Sequence, residues 1–114
     1  MKSSLLESLF DEEERRPMTV SELNGQVKAA LERNFSSVWL EGEIVNFISA
    51  NSGHWYFTLH DGFSQLKAAC YIRNNLRIRF KPFDGLQVRV RGKLSVYEPK
   101  GEYQILVEDR KSVV

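Results

Sequence analysis

Apolar positions recur along this chain with two different periods, and the change of period divides it. From Thr19 to about Arg33–Asn34, Val20, Leu23, Val27, Ala30 and Leu31 follow helical spacing and form one apolar stripe. Thr19 is placed to cap that helix, with Glu22 three residues on as its capping-box partner. Beyond it the period becomes two. In VWLEGEIVNFI, Val38, Leu40 and Ile44 alternate with Trp39, Glu41 and Glu43, and Gly42 marks a bend or bulge. ANSG is a turn. HWYFTLH then sets Trp55, Phe57 and Leu59 against His54, Tyr56, Thr58 and His60. After the hairpin signal Asp61-Gly62, QLKAACYI sets Leu66, Ala68, Cys70 and Ile72 against Lys67, Ala69 and Tyr71. RNNLRIRF reads as a short helix or irregular link. LQVRVRGKLSVYE points Val88, Val90, Leu94 and Val96 inward and Arg89, Arg91, Lys93 and Ser95 outward; PKGE turns, and YQILVE completes the set.

Five short strands around one small core suit a closed barrel, because closure removes sticky edges. A helical link between strands three and four matches the five-stranded Greek-key OB-fold, here preceded by an α-helix. Residues 1–17 are expected to be an acidic, mobile leader and residues 18–114 the domain. Leu5, Leu6, Leu9 and Phe10 could form one side of a short helical turn before DEEE and Pro17 interrupt it. The leader is either a frayed terminus or a sticky segment for a neighbouring chain.

Composition, 42% hydrophobic and 27% charged over 114 residues, is that of one ordinary globular domain. No apolar run reaches membrane-spanning length and no secretion signal is apparent, so no membrane partner is expected. The single Cys70 cannot form an internal disulfide, which suits the cytoplasm. The net charge of +1 conceals an asymmetry: residues 1–16 hold five acids against three bases, so the remainder carries an excess of three cations. Within it, residues 67–93 hold Lys67, Arg73, Arg77, Arg79, Lys81, Arg89, Arg91 and Lys93 against Asp84 alone, and such a basic block suits a polyanion.

The parity of the second strand divides its aromatic residues. Trp55 and Phe57 belong to the core. His54, Tyr56 and Thr58 lie on the other side, beside Lys67, Tyr71 and Arg73, on the face an OB barrel uses for ligands. The loops after strands one and four flank that face, and the latter adds Tyr97 and Lys100. Rings beside cations can stack bases and hold phosphates of a single strand; alternatively Tyr56 and Tyr71 pair with each other across strands. Arg89, Arg91 and Lys93 share one strand face. They either contact phosphate or pair with Glu41 and Glu43 of strand one.

Catalysis finds little support. Glu41 and Glu43 have no companions to complete a metal or acid–base site. His54 and His60 are too far apart to ligate one ion. There is no Gly-rich phosphate loop and no nucleophile elbow. No catalytic residue, metal ligand or cofactor is expected in this domain.

The segments W-x-x-G-E-I-x-N-F, S-G-H-W-Y-F-x-L-x-D and Y-E-P-x-G-x-Y-Q resemble, in order and spacing, the N-terminal domain of bacterial exonuclease VII (exodeoxyribonuclease VII) large subunits, over about Thr19 to Glu108. Cys70-Tyr71 departs mildly from the family pattern. The resemblance implies an OB-fold that binds single-stranded DNA in a longer subunit. The later nuclease domain would hold all catalytic residues, and a C-terminal helical region would gather small subunits. This domain would capture and guide the strand while its parent hydrolyses single-stranded DNA from both ends to oligonucleotides. An RNA-binding or protein-assembly module is the alternative, and self-association is possible.

Overall fold

The computed structural model describes residues 16–76, 78 and 81–112. Helix α1, Val20–Asn34, begins at a complete capping box. The Glu22 N–H donates to Thr19 Oγ1 at 3.0 Å, and the Thr19 N–H donates to Glu22 Oε1 at 2.8 Å. Two otherwise orphaned donors of the first turn are thereby satisfied. The strands are β1 Val38–Ser49, β2 Trp55–His60, β3 Gln65–Cys70, β4 Gln87–Tyr97 and β5 Glu102–Ser112, with a four-residue helix α2, Ile72–Asn75, between β3 and β4.

The strands close in the order β1-β2-β3-β5-β4. Only β3 and β5 run parallel; the other four pairings are antiparallel. Closure depends on β1. Its first half pairs with β4 from Val38 to Glu43, and its second half pairs with β2 from Glu43 to Ser49. Gly42 lies at that change of partner, where a Cβ would stand 3.1 Å from the His60 carbonyl oxygen. The ladder runs unbroken through Gly42, so the expected bulge is not there. It falls between Val45 and Ile48, where Asn46 takes a φ of 55°. Asn tolerates the left-handed region because its short amide bonds locally.

The core is the inward row of each strand: Ile44 of β1, Phe57 and Leu59 of β2, Ala68 and Cys70 of β3, Val88 and Val90 of β4, Ile105 and Val107 of β5. Cys70 is a buried thiol without a disulfide. Trp55, Leu66 and Leu94 are only half-buried but pack against this cluster. Ile72, expected as an inward strand residue, instead opens α2 and is exposed.

Helix α1 crosses the end of β4. Glu32 accepts from the Ser95 hydroxyl, the Asn24 amide donates to the Glu98 carbonyl at 3.0 Å, and the Leu94 N–H donates to the Phe35 carbonyl at 3.0 Å. Ser95 keeps its outward parity yet is buried, because the helix covers it. No residue of α1 is itself buried, and Leu23 and Val27 of its apolar stripe stay exposed beside Val96 and Tyr103.

Candidate nucleic-acid interface

The rings of Tyr56 and Tyr71 are arranged around His54. Tyr56 pairs with Ala69 in the β2–β3 register, so it does not face Tyr71 across the sheet. Tyr71 lies just past β3, at the N-cap of α2. His54, at the end of the β1–β2 loop, stands between them. Its ring is edge-on to Tyr71 at a centroid distance of 5.0 Å and edge-on to Tyr56 at 6.4 Å. Both tyrosines are 39% exposed, so each keeps open surface on which a flat group can lie.

Strand registers place Tyr56 in a transverse row of outward positions, Ile48, Tyr56, Ala69, Leu106 and Lys93, on β1, β2, β3, β5 and β4. Ile48 is exposed beside Tyr56. Three strand spacings separate Tyr56 from Lys93, roughly 14 Å along the sheet. Ala69, in mid-row, is only 1% exposed, so its neighbours cover the sheet between ring and ammonium. The neighbouring row holds Val45, Thr58, Lys67 and Gln104. Thr58, expected at the surface, is only 9% exposed, with the larger Val45 and Lys67 as its register neighbours. It supports the face and does not offer a contact.

The cations differ in what they hold. Lys67 pairs with Glu102 at 3.2 Å, Arg89 with Glu41 at 3.4 Å and Arg91 with Glu108 at 3.1 Å. Of the partners proposed for the β4 stripe, Glu41 is therefore used, whereas Glu43 turns to His60 at 3.7 Å and Arg91 takes a carboxylate from β5. Arg73, Lys93 and Lys100 have no ion pair among the described residues. Tyr97 and Lys100 are exposed where β4 turns into β5. Arg77 and Arg79 lie outside the described residues.

One contributor was not legible in the sequence. Asn75 is buried, and its amide donates to the Gly53 carbonyl at 2.8 Å and the Cys70 carbonyl at 3.2 Å, joining the β1–β2 loop to the end of β3. A lone Asn in a link carries no pattern that announces this. Asp61 accepts the Ser64 and Phe63 N–H groups at 2.9 Å each, which hold its carboxyl below the usual carboxylate range and shape the β2–β3 turn. Among the described residues, no three His, Cys, Asp or Glu side chains gather as a metal site would require. No described helix is long and apolar enough to cross a membrane.

A family model described as "OB-fold nucleic acid binding domain" matches residues 18–111. The chain belongs to that OB-fold family. The domain is 52% identical over 90 residues to the exodeoxyribonuclease 7 large subunit of Shewanella oneidensis, a match covering 79% of this chain and 20% of the relative. The large subunit from Shewanella baltica strain OS155 matches to the same extent. The chain thus spans about a fifth of the length of these relatives and corresponds to their N-terminal domain. Solved structures share the fold at low identity. A replication protein A heterotrimer bound to ssDNA superimposes with a TM-score of 0.55 at 14% identity, covering 68% of this chain and 57% of that one. Asparaginyl-tRNA synthetase from Pyrococcus horikoshii gives 0.60 at 17%, covering 78% and 22%.

Proposed function

We propose that this OB domain binds single-stranded DNA within an exonuclease VII large subunit, capturing the strand and guiding it to a nuclease domain later in the parent chain. Hydrolysis of the strand to oligonucleotides, the gathering of small subunits and a cytoplasmic location belong to that parent. Residues 18–114 form the binding domain, and residues 1–17 precede it as a leader. The observation that carries the reading is the outward Tyr56–His54–Tyr71 group, with Lys93, which has no ion pair among the described residues, in the same transverse row as Tyr56. Bases stack on such rings whatever their identity, while Arg73, Lys93 and Lys100 take phosphates. Tyr56 and Tyr71 make the ring contacts, with His54 between them and Tyr97 at the far loop. Lys67, Arg89 and Arg91 contribute less, because each already neutralises a carboxylate.

Fluorescence anisotropy with labelled oligonucleotides tests this. Weak binding of single-stranded DNA is expected, with little sequence preference and an affinity that falls steeply as salt rises, because phosphate contacts release counterions. Stronger binding of duplex DNA or of RNA overturns the reading. The isolated domain is expected to leave labelled strands intact, with or without divalent metal. Degradation that co-purifies with it through several columns contradicts that expectation.

A further inference from the structure

Helix α2 has an N-terminus that its own sequence does not cap. Tyr71 occupies the N-cap and makes no side-chain hydrogen bond there. The first N–H groups of any helix need an acceptor from elsewhere. For the Ile72 N–H that acceptor is His54 Nδ1, at 2.9 Å, supplied from the β1–β2 loop 18 residues earlier. The same loop is held at two more points. The Gly53 carbonyl accepts from the buried Asn75 amide, and the Gly53 backbone, at a φ of 93°, lies against Ile72 so closely that a Cβ would stand 2.5 Å from its Cδ1. The loop closes on itself as well, with the Ala50 N–H donating to the His54 carbonyl at 2.9 Å.

The histidine bond has a chemical consequence. An imidazole nitrogen that accepts carries no proton, so the N–H of the neutral ring sits on Nε2. The ring plane is set by that bond, and the edge-on contacts to Tyr71 and Tyr56 follow from it. We propose that His54 is a positioning residue: by accepting the Ile72 N–H it locks the β1–β2 loop to the start of α2 and holds Tyr56 and Tyr71 at the spacing on which a single strand stacks. This rests on the nucleic-acid reading above and adds a reason why the face is pre-formed. Without the acceptor, the first turn of α2 frays, Tyr71 leaves its place beside the loop, and part of the binding energy is spent on ordering both.

Two substitutions separate positioning from contact. His54→Phe keeps an aromatic ring and removes the acceptor. His54→Asn removes the ring and keeps an acceptor at similar reach. Amide exchange followed by NMR is expected to speed up about tenfold or more at Ile72 in His54→Phe and to change little in His54→Asn, as the loss of one local hydrogen bond implies. Unchanged exchange at Val88 and Ile105 shows that the barrel is intact in both. Affinity for an oligo-dT strand is expected to fall about fivefold in His54→Phe and by less than about twofold in His54→Asn. Nitrogen-15 spectra of the unsubstituted ring are expected to show a bare Nδ1. A protonated Nδ1, an unchanged affinity in His54→Phe, or an equal or larger loss in His54→Asn each overturns the positioning role. If the unsubstituted domain binds no oligo-dT, the nucleic-acid reading falls and the positioning role falls with it. Exchange at Ile72 then still shows whether the loop is tied.

Discussion

Two outward surfaces of this barrel offer groups that suit a nucleic acid, and they use their polar atoms differently. Along β2 and the start of α2, His54 lies edge-on to both Tyr56 and Tyr71, and the tyrosines leave ring surface open. Along β4, Arg89 and Arg91 each hold a carboxylate from an adjacent strand, Glu41 on β1 and Glu108 on β5. A ring edge-on to its neighbour keeps a face free, whereas a guanidinium held by a carboxylate must give up that bond to take a phosphate. The rings therefore keep open faces, and the stripe is first of all cross-strand scaffold. Exposed pairs of this kind stabilise by only about 0.2–1 kcal/mol each. The stripe ends in Lys93, which has no ion pair among the described residues and shares a row with Tyr56, so the two surfaces meet there.

The largest effect is expected beneath the aromatic face. Trp55 follows His54 directly, points the opposite way, and packs edge-on against Phe47 at 5.7 Å. Trp55→Ala is expected to lower unfolding free energy by about 3 kcal/mol, the lower end for a truncated Trp because the ring is half-buried. Denaturant melts measure it. A stable Trp55→Ala protein together with an unfolded Tyr56→Ala protein would reverse the inside and outside of β2.

On the face itself, Tyr56→Ala is expected to keep the fold and weaken binding of single-stranded DNA by about 1–3 kcal/mol, the range for one lost stacked base. Titrations at fixed salt read this directly. An unchanged affinity removes Tyr56 from the interface and leaves the cations as its main element.

The stripe is expected to respond less, and in a diagnostic direction. Arg89→Ala should cost about 0.5 kcal/mol of stability or less. It should lower the salt slope of binding by less than one phosphate contact. Glu41→Gln releases Arg89 from its partner; if the pair is scaffold, affinity for single-stranded DNA barely changes. A clear gain on Glu41→Gln shows instead that Arg89 is a phosphate-binding group held in check.

The smallest effect concerns Asp61 at the β2–β3 turn. Its carboxyl is held below the usual carboxylate range by the Ser64 and Phe63 N–H groups. A lowered folded-state value contributes stability that is present above the ordinary carboxylate range and lost as pH falls through the lowered value. Thermal melts of Asp61→Ala are expected to lie below those of the unsubstituted domain at neutral pH and to converge on them as the pH is lowered into that range. Curves that stay parallel would exclude the turn as the source.

Much of the barrel was legible because its determinants are local and periodic. The capping box at Thr19 and Glu22, the inward row Val88 and Val90, and the Asp61-Gly62 turn all follow from short-range rules that the structure obeys. Gly42 shows where such rules stop. A strand glycine signals either a bulge or a close approach, and only the path of β2 past it decides for close approach. Thr58 and Ser95 show the same limit for burial. Parity assigns them outward, and parity cannot register larger neighbours or a helix crossing overhead.

The sequence by itself determined the elements, the inward and outward sides of most strands, and the family to which the chain belongs, because periodicity and motif spacing are properties of neighbours along the chain. Which charges are held and which rings are grouped was decided only in three dimensions. The pairs Arg91–Glu108 and Lys67–Glu102 join residues 17 and 35 positions apart. The bond from Ile72 to His54 and the burial of Asn75 against Gly53 join residues 18 and 22 positions apart. A hydrogen bond or ion pair requires its partners within about 3–4 Å, and the pairing of strands in the barrel is what brings such distant positions to that range.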